Sequence, residues 1–264
     1  MLKFFTLASG SSGNSVYVGT KKTRFLVDAG ISGKDITNRL RENGIEANEL
    51  DGVLVTHEHK DHIKGVGVIS RRYNLPIYAT PGTWEGMEKD IGKVAEENKK
   101  FLDLNQSQEL GDLKIEVLPT SHDALEPAAF AFYHKEASLG IVTDTGKITS
   151  SIRKNITGCK GLLLEANHDA TMLRKGTYPV RLKKRIASTL GHLSNQMSGE
   201  ALAEFITGNT QKVVLAHLSA ENNRPPLAIH TVKEVLAEQG FTSCPELTVA
   251  PRYEAHPALQ LKAE

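Results

Sequence analysis

The sequence predicts an α/β protein, a four-layer αβ/βα sandwich with mixed sheets flanked by helices. Two observations predict it. Short β-type runs alternate with helical patterns along the chain. Many early strands follow one another through tight Gly/Ser/Asn turns, which a simple doubly wound sheet does not require.

Taken in order, strands are expected at 4–7, 16–18, 24–27, 53–55 and 77–79, each a run of apolar and β-branched residues. Helical spacing covers 35–43 and 67–73, with Gly44 and Asn74 where helix stops belong. The later half repeats the theme, with strands at 113–118, 129–133, 139–142 and 162–164. Helices are expected at 180–189, 199–207 and 227–239, and a last strand at 213–216 runs straight into His217. No linker rich in Pro, Gly or Ser divides the chain, so one domain over 1–264 is expected.

Composition narrows the function classes. The chain has 264 residues, 39% hydrophobic and 24% charged, as in an ordinary folded globule. Met1-Leu2-Lys3-Phe4-Phe5 turns polar too soon for a signal peptide, and no apolar run approaches the roughly 20 residues of a membrane span. Two cysteines, Cys159 and Cys244, make no disulfide framework, so a reducing cytoplasm is the expected setting. Neither has a Cys or His at metal-site spacing, and both read as buried small hydrophobes. The net charge of +1 leaves any nucleic-acid contact to local patches. No motif identifies a protein partner.

The densest signal is Thr56-His57-Glu58-His59-Lys60-Asp61-His62, directly after the apolar run Val53-Leu54-Val55. His57 and His59 are two apart, so on an extended backbone they point the same way and can grip one ion. Asp61 and His62 follow where the chain turns and can face a second. Imidazole and carboxylate suit Zn²⁺, Mn²⁺ or Fe²⁺. Other strands also end in ligand-type residues: Asp28, His122, Asp144 and His217. Each alone reads as a hydrogen-bonded structural residue; their joint order after His-x-His-x-Asp-His does not.

In that order the chain resembles the metallo-β-lactamase-fold hydrolases. The resemblance implies two divalent metal ions, Zn²⁺ or Mn²⁺. It assigns His57, His59 and His122 to the first, Asp61, His62 and His217 to the second, Asp144 as a bridge, and Asp28 as a residue orienting the ligands. Aspartate rather than cysteine at 144 argues against lactam hydrolysis by the cysteine-zinc branches.

Three further segments bear on the substrate. Ser9-Gly10-Ser11-Ser12-Gly13-Asn14-Ser15 lets backbone N–H groups approach an anion, with Ser12 and Asn14 as side-chain donors. Glu165-Ala166-Asn167-His168 follows a strand, and Gly191-His192-Leu193-Ser194-Asn195 precedes a helix. His192, Ser194 and Asn195 can present donors to a phosphate, with His192 protonating the leaving oxygen and His168 as a further catalytic candidate. The basic run Arg174-Lys175, Arg181, Lys183-Lys184-Arg185 lies between these segments; Lys183, Lys184 and Arg185 are its substrate-binding candidates.

Together these segments look like the YycJ (WalJ) subgroup, which implies 5′-to-3′ exonuclease action on double-stranded DNA in DNA repair or metabolism. Neither the inserted arm of ribonuclease Z nor an inserted β-CASP domain is present. The expected mechanism has a water bridging the two ions lose its proton near neutral pH and attack phosphorus, with Asp61 among the catalytic residues. The alternatives are a phosphodiesterase for cyclic or short substrates, a thioester or lactone hydrolase of the same fold, and a metal-stabilised DNA-binding module.

Overall fold

The computed structural model describes residues 1–262, so the last two positions of the expected 1–264 domain lie outside the described residues. Seven strands form each of two sheets. The first holds β1 (Leu2–Ala8), β2 (Ser15–Gly19), β3 (Arg24–Val27), β4 (Gly52–Leu54), β5 (Ile77–Ala79) and β6 (Lys99–Phe101) side by side. The second holds β7 (Ser107–Leu110), β8 (Leu113–Pro119), β9 (Ala128–His134), β10 (Ala137–Val142), β11 (Gly161–Glu165), β12 (Lys212–Ala216) and β13 (Glu246–Val249). β14 (Leu259–Leu261) returns to the outer edge of the first, antiparallel to β1.

Alternation along each strand splits the core into layers. In β1, Leu2 and Phe4 join the apolar layer between the sheets, while Phe5 and Leu7 face the helices. Those helices are α1 (Gly33–Glu42), α2 (Lys60–Ile63), α3 (Val66–Tyr73) and α4 (Pro81–Ile91). The outer face of the second sheet is covered by α5 (Ser150–Ile156), α8 (Asn195–Phe205) and α9 (Pro225–Glu238), through Ile152, Leu202, Phe205 and Val232. Each fully buried Phe or Leu contributes about 1.5–3 kcal/mol. The order is helix, sheet, sheet, helix: the predicted four-layer sandwich. The short α6 (Ala170–Lys175) and α7 (Val180–Ile186) lie between β11 and α8 in the chain.

The sequence reading missed β6, β7, β13, β14, α2, α4, α5 and α6. For α4 the signal was present, since Thr80 caps it and Pro81 opens it. α8 starts at Asn195 rather than 199, because the Ser194 hydroxyl accepts from Met197 N and begins the helix four residues earlier. Asn74 does stop α3, at φ 51°. Cys159 is buried as expected; Cys244 is exposed, a correction that follows from its position in the loop between α9 and β13. Among the described residues no helix is long and apolar enough to cross a membrane.

Candidate metal centre

The ligand-type residues sit at strand ends that converge on one edge of the sandwich. β3 delivers Asp28, β4 leads into Thr56-His57, β10 into Asp144, β11 ends on Glu165, and β12 delivers His217. The backbone at His59 is still extended, and His62 N donates to His59 O at 2.9 Å as α2 begins. His57 and His59 therefore precede the turn while Asp61 and His62 ride on it. Asp28, Asp144 and His217 adopt φ of 60°, 54° and 54°. Left-handed backbone at a non-glycine residue costs about 1–3 kcal/mol and needs surroundings that impose it. At His217 the Ser9 hydroxyl accepts the backbone N–H at 2.7 Å; at Asp28, Leu54 O accepts it at 2.8 Å.

Four overlapping sets of donor atoms result among the described residues. His57, His59 and His122 form one, and Asp61, His62 and His217 another, with the atoms of each set within 4.8 Å of one another. Asp144 lies between them, its carboxylate 3.3 Å from His62 Nε2 and 3.9 Å from His122 Nε2.

The hydrogen bonds behind the rings decide which nitrogen faces the cage. His62 Nδ1 lies 2.7 Å from Asp28, His217 Nδ1 2.9 Å from Glu165, and His122 Nδ1 3.2 Å from Gly191 O. Carboxylates and carbonyls only accept, so each Nδ1 carries the proton and each neutral ring turns its Nε2 lone pair inward, where that of His62 meets the Asn14 amide at 3.0 Å. The Thr56 hydroxyl gives its hydrogen to Asp28 and thus accepts from His57 Nδ1, with the same result. The Nε2 atoms of His57, His122 and His217, and Asp144 Oδ2, are buried without a hydrogen-bond partner among the described residues. Such orphans cost about 1–3 kcal/mol each unless something ligates them. The donor set therefore fits a divalent metal ion.

Electrostatics agree. Burial, reinforced by the neighbouring imidazoles, holds His57 well below the usual histidine range, and burial likewise lowers His122. For His62, burial opposes the charge but Asp144 and Asp28 outweigh it, pushing the ring up to about 9. Burial would raise Asp61, yet His217 and His62 hold its carboxyl well below the usual range. Excess negative charge that favours a proton on imidazole favours a divalent cation in the same place.

Glu165 is the residue the sequence reading passed over. Fully buried, it accepts from His192 Nδ1 at 2.8 Å, His217 Nδ1 at 2.9 Å, and the backbone N–H groups of Thr145 and Leu193, each at 3.1 Å. A carboxylate closing the apolar strand Gly161-Leu162-Leu163-Leu164 was the available signal. Burial opposes the charge on His192, but Glu165 overcomes it and raises that ring.

A cavity of about 240 Å³ opens over the cage, lined by His59, Asp61, His122, Asp144, His192 and His217 from below and by Ser11, Tyr178, Leu182, Arg185 and Ile186 above. The remaining candidates divide around it. Arg185 reaches the cavity and pairs with Asp123. Lys184 is exposed and does not line it, and Lys183 Nζ donates to Arg174 O at 2.9 Å. Ser11 lines the cavity; Ser12, at the exposed tip of the turn, does not.

Asn14, Ser194, Asn195 and His168 are not among the residues that line the cavity. Asn14 is buried; it accepts from Gly10 N at 2.8 Å, and its amide lies 3.3 Å from Asp61 and 3.0 Å from His62, so it ties the serine loop to the cage. Ser194 is spent on capping α8, and Asn195 exchanges amide hydrogen bonds with Asn223 at 2.7 and 3.0 Å. His168 is buried outside the cavity lining, its backbone paired with Ser194, and burial pushes its ring down to about 4.

A model of the beta-lactamase superfamily domain matches residues 23–218. The exodeoxyribonuclease YycJ of Bacillus anthracis is 43% identical over 240 residues, covering 91% of each chain. The exodeoxyribonuclease WalJ of Streptococcus pneumoniae is 44% identical over 238 residues, covering 89% of this chain and 88% of the relative. Among solved structures, the metallo-beta-lactamase fold protein YhfI of Bacillus subtilis superposes with a TM-score of 0.72 at 17% identity, over 97% of this chain and 98% of the other. That last likeness concerns the fold alone.

Proposed function

The chain belongs to the beta-lactamase superfamily as a metal-dependent hydrolase, and we propose that it is a dinuclear-metal phosphodiesterase acting on DNA as an exonuclease. The observation that carries this is the pair of interlocked donor sets, with ring nitrogens turned inward by Asp28, Thr56, Gly191 and Glu165. The two relatives named as exodeoxyribonucleases supply the substrate class.

His57, His59 and His122 would hold one ion; Asp61, His62 and His217 the other; Asp144 faces both sets. Zinc and manganese both suit these ligands. When bound, such ions supply a nucleophile drawn from water at neutral pH and neutralise charge on the phosphoryl oxygens. The chain's own groups do the rest. Asp28 and Glu165 keep the imidazoles of His62 and His217 in register. His192, in the cavity wall with its Nδ1–H donated to Glu165, can pass a proton from Nε2 of the charged ring, a form that Glu165 favours, to the leaving oxygen. Arg185 offers a guanidinium to a backbone phosphate, while Tyr178 and Leu182 give the cavity an apolar rim. In the finer form of the proposal the enzyme digests double-stranded DNA from 5′ to 3′ and serves DNA repair or metabolism.

The test is hydrolysis by enzyme stripped with chelator and reloaded with Zn²⁺ or Mn²⁺, on duplex DNA labelled at either end. Bis(p-nitrophenyl) phosphate and a thioester are run alongside. Mononucleotide release from the 5′ end, restored by metal, is expected. Thioester cleavage without diester cleavage, or DNA binding without any cleavage, would overturn the reading.

A further inference from the structure

A second cleft lies one strand away from the metal cage. It encloses about 560 Å³, within the range of about 300–1,000 Å³ typical of small-ligand sites, and is lined by Ser9, Leu218, Asn223, Arg224, Arg252 and Tyr253 among others. β10, β11, β12 and β13 run parallel, so their C-terminal ends form a row: Asp144, Glu165, His217, then the segment Ala250-Pro251-Arg252-Tyr253. Adjacent strands stand about 4.8 Å apart, which sets the cleft directly beside His217. The two sites share parts, since Ser9 holds His217 N at 2.7 Å and Leu218 follows His217 in the chain.

We propose that this cleft receives a nucleotide flanking the scissile phosphodiester, its base against Tyr253 and its phosphate against Arg252 and Arg224. The inference rests on the phosphodiesterase reading above. Tyr253 leaves 70% of its surface exposed, and the Arg252 guanidinium carbon lies 5.9 Å from its ring centroid, a cation–aromatic platform of the kind on which any base can stack. Arg252 Nη2 donates to Leu218 O at 2.6 Å, and Arg224 Nη1 donates to Ala220 O at 2.9 Å and Asn223 O at 2.6 Å. Both guanidinium groups are thus held by carbonyls, and neither pairs with a carboxylate among the described residues. Glu221, three positions before Arg224, and Glu254, two after Arg252, make no such pair. α9 adds to the positive field: Arg224 is its N-cap and Pro225 its first residue, and both line the cleft. An apolar floor, an exposed ring and two uncompensated cations match a base with its phosphate better than an acidic peptide, which offers no flat apolar face.

The test compares kcat/KM on an oligonucleotide with kcat/KM on bis(p-nitrophenyl) phosphate, which is too small to span both sites. Tyr253→Ala and Arg252→Gln should each lower the ratio by on the order of tenfold, and Tyr253→Phe should restore it, because stacking needs the ring and not the hydroxyl. Anisotropy of a labelled single strand, read with chelator present, should show a parallel loss of affinity for the two damaging variants. An unchanged ratio with unchanged affinity overturns the proposal. So does an equal loss on both substrates, which would mean that Arg252 merely braces the Gly10 loop it packs against. If the unsubstituted enzyme cleaves neither substrate, the phosphodiesterase reading fails instead, and the anisotropy series alone then judges the cleft.

Discussion

Around Asp144 and Glu165 the polar side chains are buried and Glu165 alone answers to four donors, whereas α7, which roofs the same cavity, has no buried residue and turns Lys184 to water. The two regions are governed by different physics. In the cage, low dielectric makes an unmatched charge expensive, so each ligand needs a partner behind it. On α7 the charges are screened and act through their sum. Damage to the cage should therefore be large and local, and damage to α7 graded and salt-dependent.

The largest effect should come from the cage itself. Asp144→Ala should lower kcat/KM on bis(p-nitrophenyl) phosphate by more than about 100-fold, beyond the usual cost of losing an outer partner, and reduce bound metal measured by elemental analysis. Full metal content with normal turnover would break the contrast. Asp61→Ala should also lose metal and most activity, while circular dichroism shows the fold retained.

Next comes Glu165→Gln, which keeps the shape but removes the charge behind His192 and His217. A loss of about 10–100-fold is expected, with weaker metal retention on titration with chelator. An effect below twofold would mean that the four donors onto Glu165 serve stability alone.

On α7, changing Lys183, Lys184 and Arg185 together to glutamine should leave thermal stability nearly unchanged. It should reduce the slope of log affinity for duplex DNA against log salt by about 2–3, since each phosphate contact contributes about 0.9. A salt slope equal to that of the unsubstituted protein would remove α7 from the DNA path.

The smallest effect concerns the helix cap beside the cage. Ser194→Ala should cost about 1 kcal/mol in denaturant unfolding, the worth of a helix cap, whereas a free phosphate donor would change KM instead.

Much of the cage was legible because its ligands fall in two easily read kinds of place. His57 to His62 is a single short loop whose residue spacing already puts rings on one side of an extended chain. Asp28, His122, Asp144 and His217 each follow an apolar run, where a polar residue stands out. Glu165 also closes an apolar run but falls outside the His-x-His-x-Asp-His order, so its signal went unused. Asn14, Ser194 and Asn195 were ambiguous for the opposite reason: serine and asparagine cap and close loops as readily as they bind phosphate, and spacing cannot tell the two apart. Arg252 and Tyr253 carry no local motif at all.

The chain by itself determined the layer architecture and the kinds of ligand available, because periodicity and residue chemistry are local properties. Only the tertiary structure decided which nitrogen of each ring faces inward, that one carboxylate serves both His192 and His217, and that a cationic cleft adjoins the cage. Those depend on partners up to 208 positions apart, as at the Ser9–His217 contact, and strand order alone brings such partners within hydrogen-bond reach.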